Sequence, residues 1–283
     1  MSFHWNVERA RFNMIEQQIR PWEVLDPAVL SLLTIVRRED FVPSAYRALA
    51  FMDTEIPLPA SQGRSETMLA PKVEARMLQE LLLAPHETAL EIGAGSGFMA
   101  ALLAHRTRHV VSLETDPALA RLAADDLERA GVHNAAVREL DGSGGLPGEA
   151  PFDAIMVSGS VASVPPSLLE GLKIGGRLVA IVGHQPMMRA VRVTRTGEHS
   201  FNSVDLFLLG RAFRRALLRN LGGGVPQVFR QLLRLLARPG GLAQFLRILV
   251  DLARLLFQFG REASCGIRFQ GLQPPRGILD RGG

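Results

Sequence analysis

The chain has 283 residues, of which 47% are apolar and 21% charged, a composition that argues against disorder and suits a globular protein with a buried core. Its formal net charge of +4 is unevenly spread, because residues 211–283 hold 13 arginines and 3 acidic residues whereas residues 1–210 are acidic overall. A single cysteine, Cys265, excludes an intramolecular disulfide and a cysteine-rich zinc site. Residues 1–20 lack the continuous apolar core of a signal peptide, so we expect a cytoplasmic protein.

Residues 1–70 are predicted to form a helical and loop-rich N-terminal region. Apolar residues recur with helical spacing over residues 7–20. Asp26 and Pro27 then have the residue types of a helix N-cap and first helical position, which predicts a helix that ends near Val36.

Residues 71–210 show the alternation of strands and helices that is typical of a parallel sheet. A helix is predicted from Pro71 and another from Pro117. After the strand that leads into residue 92, further strands are predicted at residues 109–114, 135–142, 152–157, 177–182, 188–194 and 199–207. The last two flank a turn and form a hairpin, so we expect a Rossmann-like α/β fold with an antiparallel edge and helices on both faces.

The strand-to-helix turn at residues 91–98 has the pattern E-x-G-x-G-x-G. Glycines in such a turn let the backbone approach a ligand closely, and they stand here at Gly93, Gly95 and Gly97. The dinucleotide fingerprint G-x-G-x-x-G would need a glycine where the chain has Phe98. The turn therefore indicates a nucleotide-like cofactor but argues against NAD.

Three carboxylates are predicted at successive strand ends: Glu91, Glu114 and Asp141. Ligands of open α/β sheets bind at the carboxyl ends of the strands, so these acids are expected around one crevice that has no Lys or Arg at the same positions. A pyrophosphate would be repelled there. S-adenosyl-L-methionine, which has no phosphate and carries a sulfonium and an ammonium group, suits the crevice better.

Beyond the glycine turn, the chain from about residue 14 to residue 207 resembles the protein-L-isoaspartate O-methyltransferase family. That resemblance implies a seven-stranded methyltransferase fold and methyl transfer from S-adenosylmethionine to the α-carboxylate of an isoaspartyl residue in a damaged protein. A carboxylate is already an anionic nucleophile, so neither a strong general base nor a metal is expected. The segments that carry the resemblance are MIEQQIR (14–20), VRREDFVP (36–43), AFMD (50–53), IPL (56–58) and PFDAIMV (151–157).

The resemblance also implies roles for the residues of the crevice. It implies that Glu91, Gly93, Gly95 and Gly97 form the floor beneath the cofactor. Glu114 would bind the ribose hydroxyls, and Asp141-Gly142 would lie at the edge near the adenine. No metal ligands are implied.

The chain departs from the family in the segment that contacts the acceptor. The family has a G-Q-T-I-S-x-P type segment whose serine lies beside the transferred methyl group. When Ala70-Pro71 is used as the anchor, Thr67 falls on the family threonine and Leu69 on the serine. Ser65 or Thr67 could supply a substitute hydroxyl. Three functions thus stay open: isoaspartyl methylation, methylation of another acceptor, and cofactor binding without turnover.

Residues 211–283 are predicted to form a basic amphipathic helical tail. Arginines interrupt the apolar segments 225–237 and 242–259, so neither segment is a membrane span. The tail could pack on the acidic body, contact a membrane surface or an acidic partner, or be an unselected extension. Nucleic acid is not expected as a partner, because no Tyr or Trp accompanies the arginines.

Overall fold

The computed structural model describes residues 2–60, 66–184 and 187–210, and the predicted tail at 211–283 lies outside them. Among the described residues, none of the helices has the length and apolar character needed to cross a membrane. The helices are α1 (Ser2–Met14), α2 (Pro27–Ile35), α3 (Pro71–Glu80), α4 (Phe98–Ala104), α5 (Pro117–Arg129) and α6 (Pro166–Glu170). The strands are β1 (Ile56–Pro57), β2 (Thr67–Met68), β3 (Thr88–Ile92), β4 (His109–Glu114), β5 (Ala135–Glu139), β6 (Phe152–Val161), β7 (Leu172–His184), β8 (Met187–Gly197) and β9 (Ser200–Gly210).

Seven strands form one mixed sheet in the order β5-β4-β3-β6-β7-β8-β9. The five strands from β5 to β7 are parallel, whereas β8 runs antiparallel to β7 and β9 antiparallel to β8. The predicted parallel sheet with an antiparallel hairpin at its edge is confirmed. A separate two-stranded ribbon pairs β1 with β2.

The central strands are apolar on both faces because each face of a parallel sheet packs against other elements. Along β3, Ala89 belongs to one core and its neighbour Leu90 to the other. The first core is closed by α3, α4 and the N-terminal helices, and the second by α6 and the loop that precedes β6. The prediction of helices on both faces is therefore confirmed, with most of the helical cover on the first face.

Local signals position the helix starts as the sequence predicts. The Asp26 carboxylate accepts a hydrogen bond from the Ala28 amide at 2.8 Å, and α2 begins at Pro27. The Asp116 carboxylate accepts hydrogen bonds from two amides in the same way at the start of α5. The predicted helix over residues 7–20 is present but not uniform, since α1 continues as a π-helical turn at Ile15–Ile19 and a 3-10 turn at Arg20–Trp22.

Candidate active site

The direction of chain winding changes between β3 and β6, and this reversal opens a crevice at the carboxyl ends of the strands. The chain moves from β3 outward through β4 to β5, and then returns to the other side of β3 as β6. In open α/β sheets such a reversal is where ligands bind. The structure therefore brings the ends of β3, β4, β5 and β6 to one edge.

The glycine turn connects β3 to α4 and has left-handed backbone at its three glycines. The φ angles are +91° at Gly93, +55° at Gly95 and +80° at Gly97. A Cβ atom on Gly97 would lie 2.9 Å from the carbonyl oxygen of Ala123, so the third glycine is also required for α5 to pack closely. The turn is tied to β4, since the Gly93 amide donates to the Leu113 carbonyl oxygen at 2.7 Å.

Glu91, two residues before Gly93 near the end of β3, is fully buried. Its carboxylate oxygens accept hydrogen bonds of 2.6 Å from the hydroxyl groups of Ser112 on β4 and Ser158 on β6. The side chain thus joins β3 to both of its neighbours in the sheet, β4 and β6. Neither serine was predicted as a site residue, although a serine within the apolar run of β4 is a recognisable signal of a buried polar contact.

Burial raises the pKa of Glu91 to about 8, while the two serine hydroxyls oppose that rise and the nearby Glu114 and Glu74 add to it. At neutral pH the protonated form of Glu91 is therefore favoured. A neutral carboxyl group at this position holds the strands together without placing a net charge below the crevice.

Glu114, at the end of β4, contacts the glycine turn directly. Its Oε2 accepts a hydrogen bond from the Gly95 amide at 2.9 Å, and its Oε1 accepts hydrogen bonds from the amides of Thr115 and Asp116. These bonds orient the carboxylate at the rim of the crevice. Carboxylates at this strand end can accept hydrogen bonds from the two hydroxyls of a ribose.

Asp141 and Gly142 lie just beyond the end of β5, which is shorter than predicted and stops at Glu139. Asp141 is exposed, and a hydrogen bond that it accepts from the Ser143 amide at 2.9 Å lowers the pKa of its carboxyl group. A Cβ atom on Gly142 would lie 2.8 Å from Ile92, the last residue of β3. The missing side chain therefore lets this loop close on the crevice edge.

The acceptor segment, defined here as residues 66–70, lies beside the glycine turn. Its Thr67 hydroxyl donates a hydrogen bond to Glu55 at 3.2 Å, and Leu69 is partly buried against the first core. The Glu66 carbonyl oxygen accepts a hydrogen bond from the Leu58 amide, and the Leu58 side chain lies 3.2 Å from where a Cβ of Gly95 would be. The ribbon of β1 and β2 thus brings the acceptor segment and the cofactor turn together.

Two buried side chains that the sequence analysis missed also reach this region. Arg38 and Glu74 form an ion pair, and Arg38 donates a second hydrogen bond to the Leu69 carbonyl oxygen at 2.8 Å. Burial raises the pKa of Glu74 to about 7, against the opposing effect of Arg38. An acidic residue inside the apolar face of α3 was the signal that could have shown this pair.

Comparison with known proteins assigns the chain to a family. The model of the protein-L-isoaspartate(D-aspartate) O-methyltransferase family matches residues 9–206. A protein-L-isoaspartate O-methyltransferase from Rhodopseudomonas palustris is 43% identical over 194 residues, which are 68% of this chain and 87% of that protein. One from Herpetosiphon aurantiacus is 40% identical over 199 residues, which are 70% of this chain and 86% of the relative.

Solved structures show the same fold at lower sequence identity. A protein-L-isoaspartate O-methyltransferase superposes with a TM-score of 0.60 at 21% identity, covering 81% of this chain and 71% of its own. A Plasmodium falciparum protein of this kind, in complex with S-adenosyl-L-homocysteine, gives a TM-score of 0.58 at 18% identity and covers 72% of this chain and 96% of its own. On the family match and the identity of these relatives, this chain belongs to the protein-L-isoaspartate O-methyltransferase family.

Proposed function

We propose that this chain is an S-adenosylmethionine-dependent methyltransferase that esterifies the α-carboxylate of isoaspartyl residues in damaged proteins. The observation that carries the proposal is the position of the glycine turn, which lies between the strand-end acids and the acceptor segment. A crevice with that arrangement holds a cofactor on one side and an acceptor on the other. Membership of the family supplies the reaction class.

The cofactor side is assigned to the residues that the structure brings to one edge of the sheet. Gly93, Gly95 and Gly97 would support the cofactor with backbone alone, and Glu114 would accept hydrogen bonds from its ribose hydroxyls. Asp141-Gly142 would border the adenine. Glu91 serves the same site from below by joining its strands. When bound, S-adenosylmethionine supplies a methyl group that its sulfonium makes susceptible to attack by a nucleophile.

The acceptor side has to orient a carboxylate and does not have to activate it. An ionised carboxylate attacks in line without proton removal, so rate depends on proximity and alignment. Thr67 supplies a hydroxyl group to the acceptor segment at the position of the family threonine. Leu69 presents an apolar side chain where the family has a serine. Leu69 is also the observation that favours the second candidate, a methyltransferase for a different acceptor.

The experiment measures methyl transfer from labelled S-adenosylmethionine to an isoaspartyl peptide and to its aspartyl twin, for the wild type and for Leu69→Ser. We expect methylation of the isoaspartyl peptide alone. Leu69→Ser should raise kcat/KM roughly 3- to 10-fold, since one recovered hydrogen bond to the acceptor has about that value. Leu25→Ser is the control, because it makes the same substitution at a 67% exposed position in the loop that precedes α2.

Each outcome of this experiment decides between the candidates. A wild type that binds the cofactor and is inert towards the peptide, with Leu69→Ser active, would mean that the acceptor has changed. If both proteins are inert, the proposed activity is wrong.

For the remaining regions we propose a three-part organisation, with residues 1–70 forming the acceptor side, 71–210 the cofactor domain and 211–283 a basic tail. The 13 arginines of the tail support contact with an anionic surface, either a membrane or an acidic partner. The single cysteine supports a cytoplasmic location.

The contact of the tail with an anionic surface can be tested with lipid vesicles. The full chain should sediment with vesicles that contain anionic lipid and not with neutral ones, and high salt should release it. Equal sedimentation with both vesicle types would contradict the electrostatic contact.

A further inference from the structure

Arg38 has the largest fully buried side chain among the described residues, with a relative exposure of 1%. It lies in the 3-10 turn Arg38–Asp40 of the N-terminal region. A charged group is costly to bury unless its partners replace water, so the contacts of its guanidinium group need an explanation.

Those contacts reach three separate parts of the site. Nη1 donates to the Glu74 carboxylate on α3, and Nη2 donates to the Leu69 carbonyl oxygen in the acceptor segment at 2.8 Å. The guanidinium carbon lies 5.1 Å from the ring centroid of Phe98, the residue that directly follows Gly97. One side chain therefore contacts both the acceptor segment and the first residue after the cofactor turn.

The hydrogen bond to Leu69 fixes a part of the chain that has no regular secondary structure. Residues 69 and 70 lie between β2 and α3 and make no ladder of their own. A charged donor holds a carbonyl more strongly than a neutral one, and the planar guanidinium can bind Glu74 and Leu69 at the same time. The position of residue 69 relative to the glycine turn thus depends on Arg38.

We propose that Arg38 is a positioning residue that couples the acceptor segment to the cofactor turn through the Leu69 carbonyl oxygen and the ring of Phe98. Its kinetic consequence, a change in the KM for the isoaspartyl peptide, rests on the proposed function. Its structural consequence is independent, because residue 69 should lose its fixed position without Arg38 whatever the acceptor is, and the amides of residues 66–70 should then exchange faster.

A partly buried ion pair elsewhere in the fold offers a matched control. Arg177 on β7 pairs with Glu87 and, as Arg38 does, also donates to a backbone carbonyl oxygen, that of Leu81 at 2.6 Å. The side chains of this pair are 11% and 12% exposed, against 2% and 7% for Arg38 and Glu74. The pair joins β7 to the residue that precedes β3, so its loss should lower stability without moving the acceptor segment.

The experiment compares Arg38→Met with Arg177→Met by three measurements: peptide KM, cofactor Kd by calorimetry, and hydrogen exchange. We expect Arg38→Met to raise the KM for the isoaspartyl peptide about tenfold or more, because one charge-assisted hydrogen bond orders the segment. The cofactor Kd should rise less than threefold, and residues 66–70 should exchange faster. Arg177→Met should lower the melting temperature and leave both KM and that exchange unchanged.

Two further variants keep the test decisive if Arg38→Met folds poorly. Arg38→Met combined with Glu74→Met leaves no unpaired buried acid and should recover the melting temperature, since well-packed apolar residues can replace a buried ion pair. Its KM and its exchange at residues 66–70 should stay high. Arg38→Lys should be intermediate, because an ammonium group lacks the planar fork that meets both acceptors.

The proposal is overturned if the double variant recovers wild-type KM and exchange, or if Arg177→Met raises them as much as Arg38→Met. A wild type that is inert on the isoaspartyl peptide would instead contradict the proposed function. In that case the exchange of residues 66–70 in the same variants still decides whether Arg38 holds the segment.

Discussion

The proposed cofactor side and the proposed acceptor side of the crevice are built in different ways. The cofactor side consists of strand ends and a glycine turn, and its bonds join neighbours in one sheet, such as the Gly95 amide and Glu114. The acceptor side is a short segment held by side chains from distant parts of the chain, above all Arg38. A site of the first kind tolerates little change because the backbone itself forms the binding surface. A site of the second kind can accept a new side chain, such as Leu69, while the fold persists.

The strongest test of the cofactor side is Gly97→Ala. The added methyl group would lie 2.9 Å from the Ala123 carbonyl oxygen. The alanine would also have to adopt a backbone φ of +80°. We expect a loss of roughly 2–5 kcal/mol in the free energy of unfolding. Cofactor affinity should fall beyond detection, and calorimetry and thermal unfolding measure the two effects.

Two other glycines separate strain from steric conflict. Gly131 has a φ of +70° with nothing within 4 Å of an added Cβ, so Gly131→Ala should cost only about 1–2 kcal/mol and leave cofactor binding intact. Gly144→Ala, with open space and no positive φ, should be neutral. If Gly97→Ala behaves like Gly131→Ala, the close packing of α5 on the turn is not what the site requires.

Glu114→Gln tests whether the strand-end carboxylate binds the cofactor or only supports the turn. Losing charge-assisted hydrogen bonds should raise the cofactor Kd about 10- to 100-fold. Glu139→Gln is the matched control, since Glu139 is the exposed residue paired with Glu114 on the neighbouring strand. An unchanged Kd for Glu114→Gln would assign this carboxylate to the turn alone.

Glu91→Gln should have the smallest effect on binding, because an amide resembles the protonated carboxyl group in shape and charge. The pH dependence of stability is where the two proteins should differ. Burial raises the pKa of Glu91 from 4.5 to about 8, so between these values the folded chain holds a proton that the unfolded chain has lost. The wild type should therefore lose stability as pH rises through this window, and level off above it.

From pH 5 to pH 8 we expect the wild type to lose roughly 2–4 kcal/mol more than Glu91→Gln. Denaturant unfolding at each pH measures the difference. Parallel pH profiles for the two proteins would show that Glu91 is ionised in the folded state, and the account of a neutral carboxyl group below the crevice would then be wrong.

Much of the fold follows from local patterns that the sequence displays. Asp26-Pro27 starts α2, the glycine turn follows β3, and β8 and β9 form the predicted hairpin, although its turn lies at Glu198-His199, two residues beyond the expected position. The strand ends were less accurate, as β6 and β7 extend beyond their predicted bounds and β5 ends before Asp141. Ladder bonds to neighbouring strands decide where a strand stops, and a single segment does not contain that information.

For this protein the sequence alone determined the fold class and the family, and it predicts the residues of the cofactor edge, because a glycine turn and strand-end acids follow from local backbone chemistry. Only the tertiary structure decided that Glu91 is buried between Ser112 and Ser158, and that Arg38 holds Leu69. These contacts join residues 21 to 67 positions apart. Their energy comes from burial and from partners that no local pattern records.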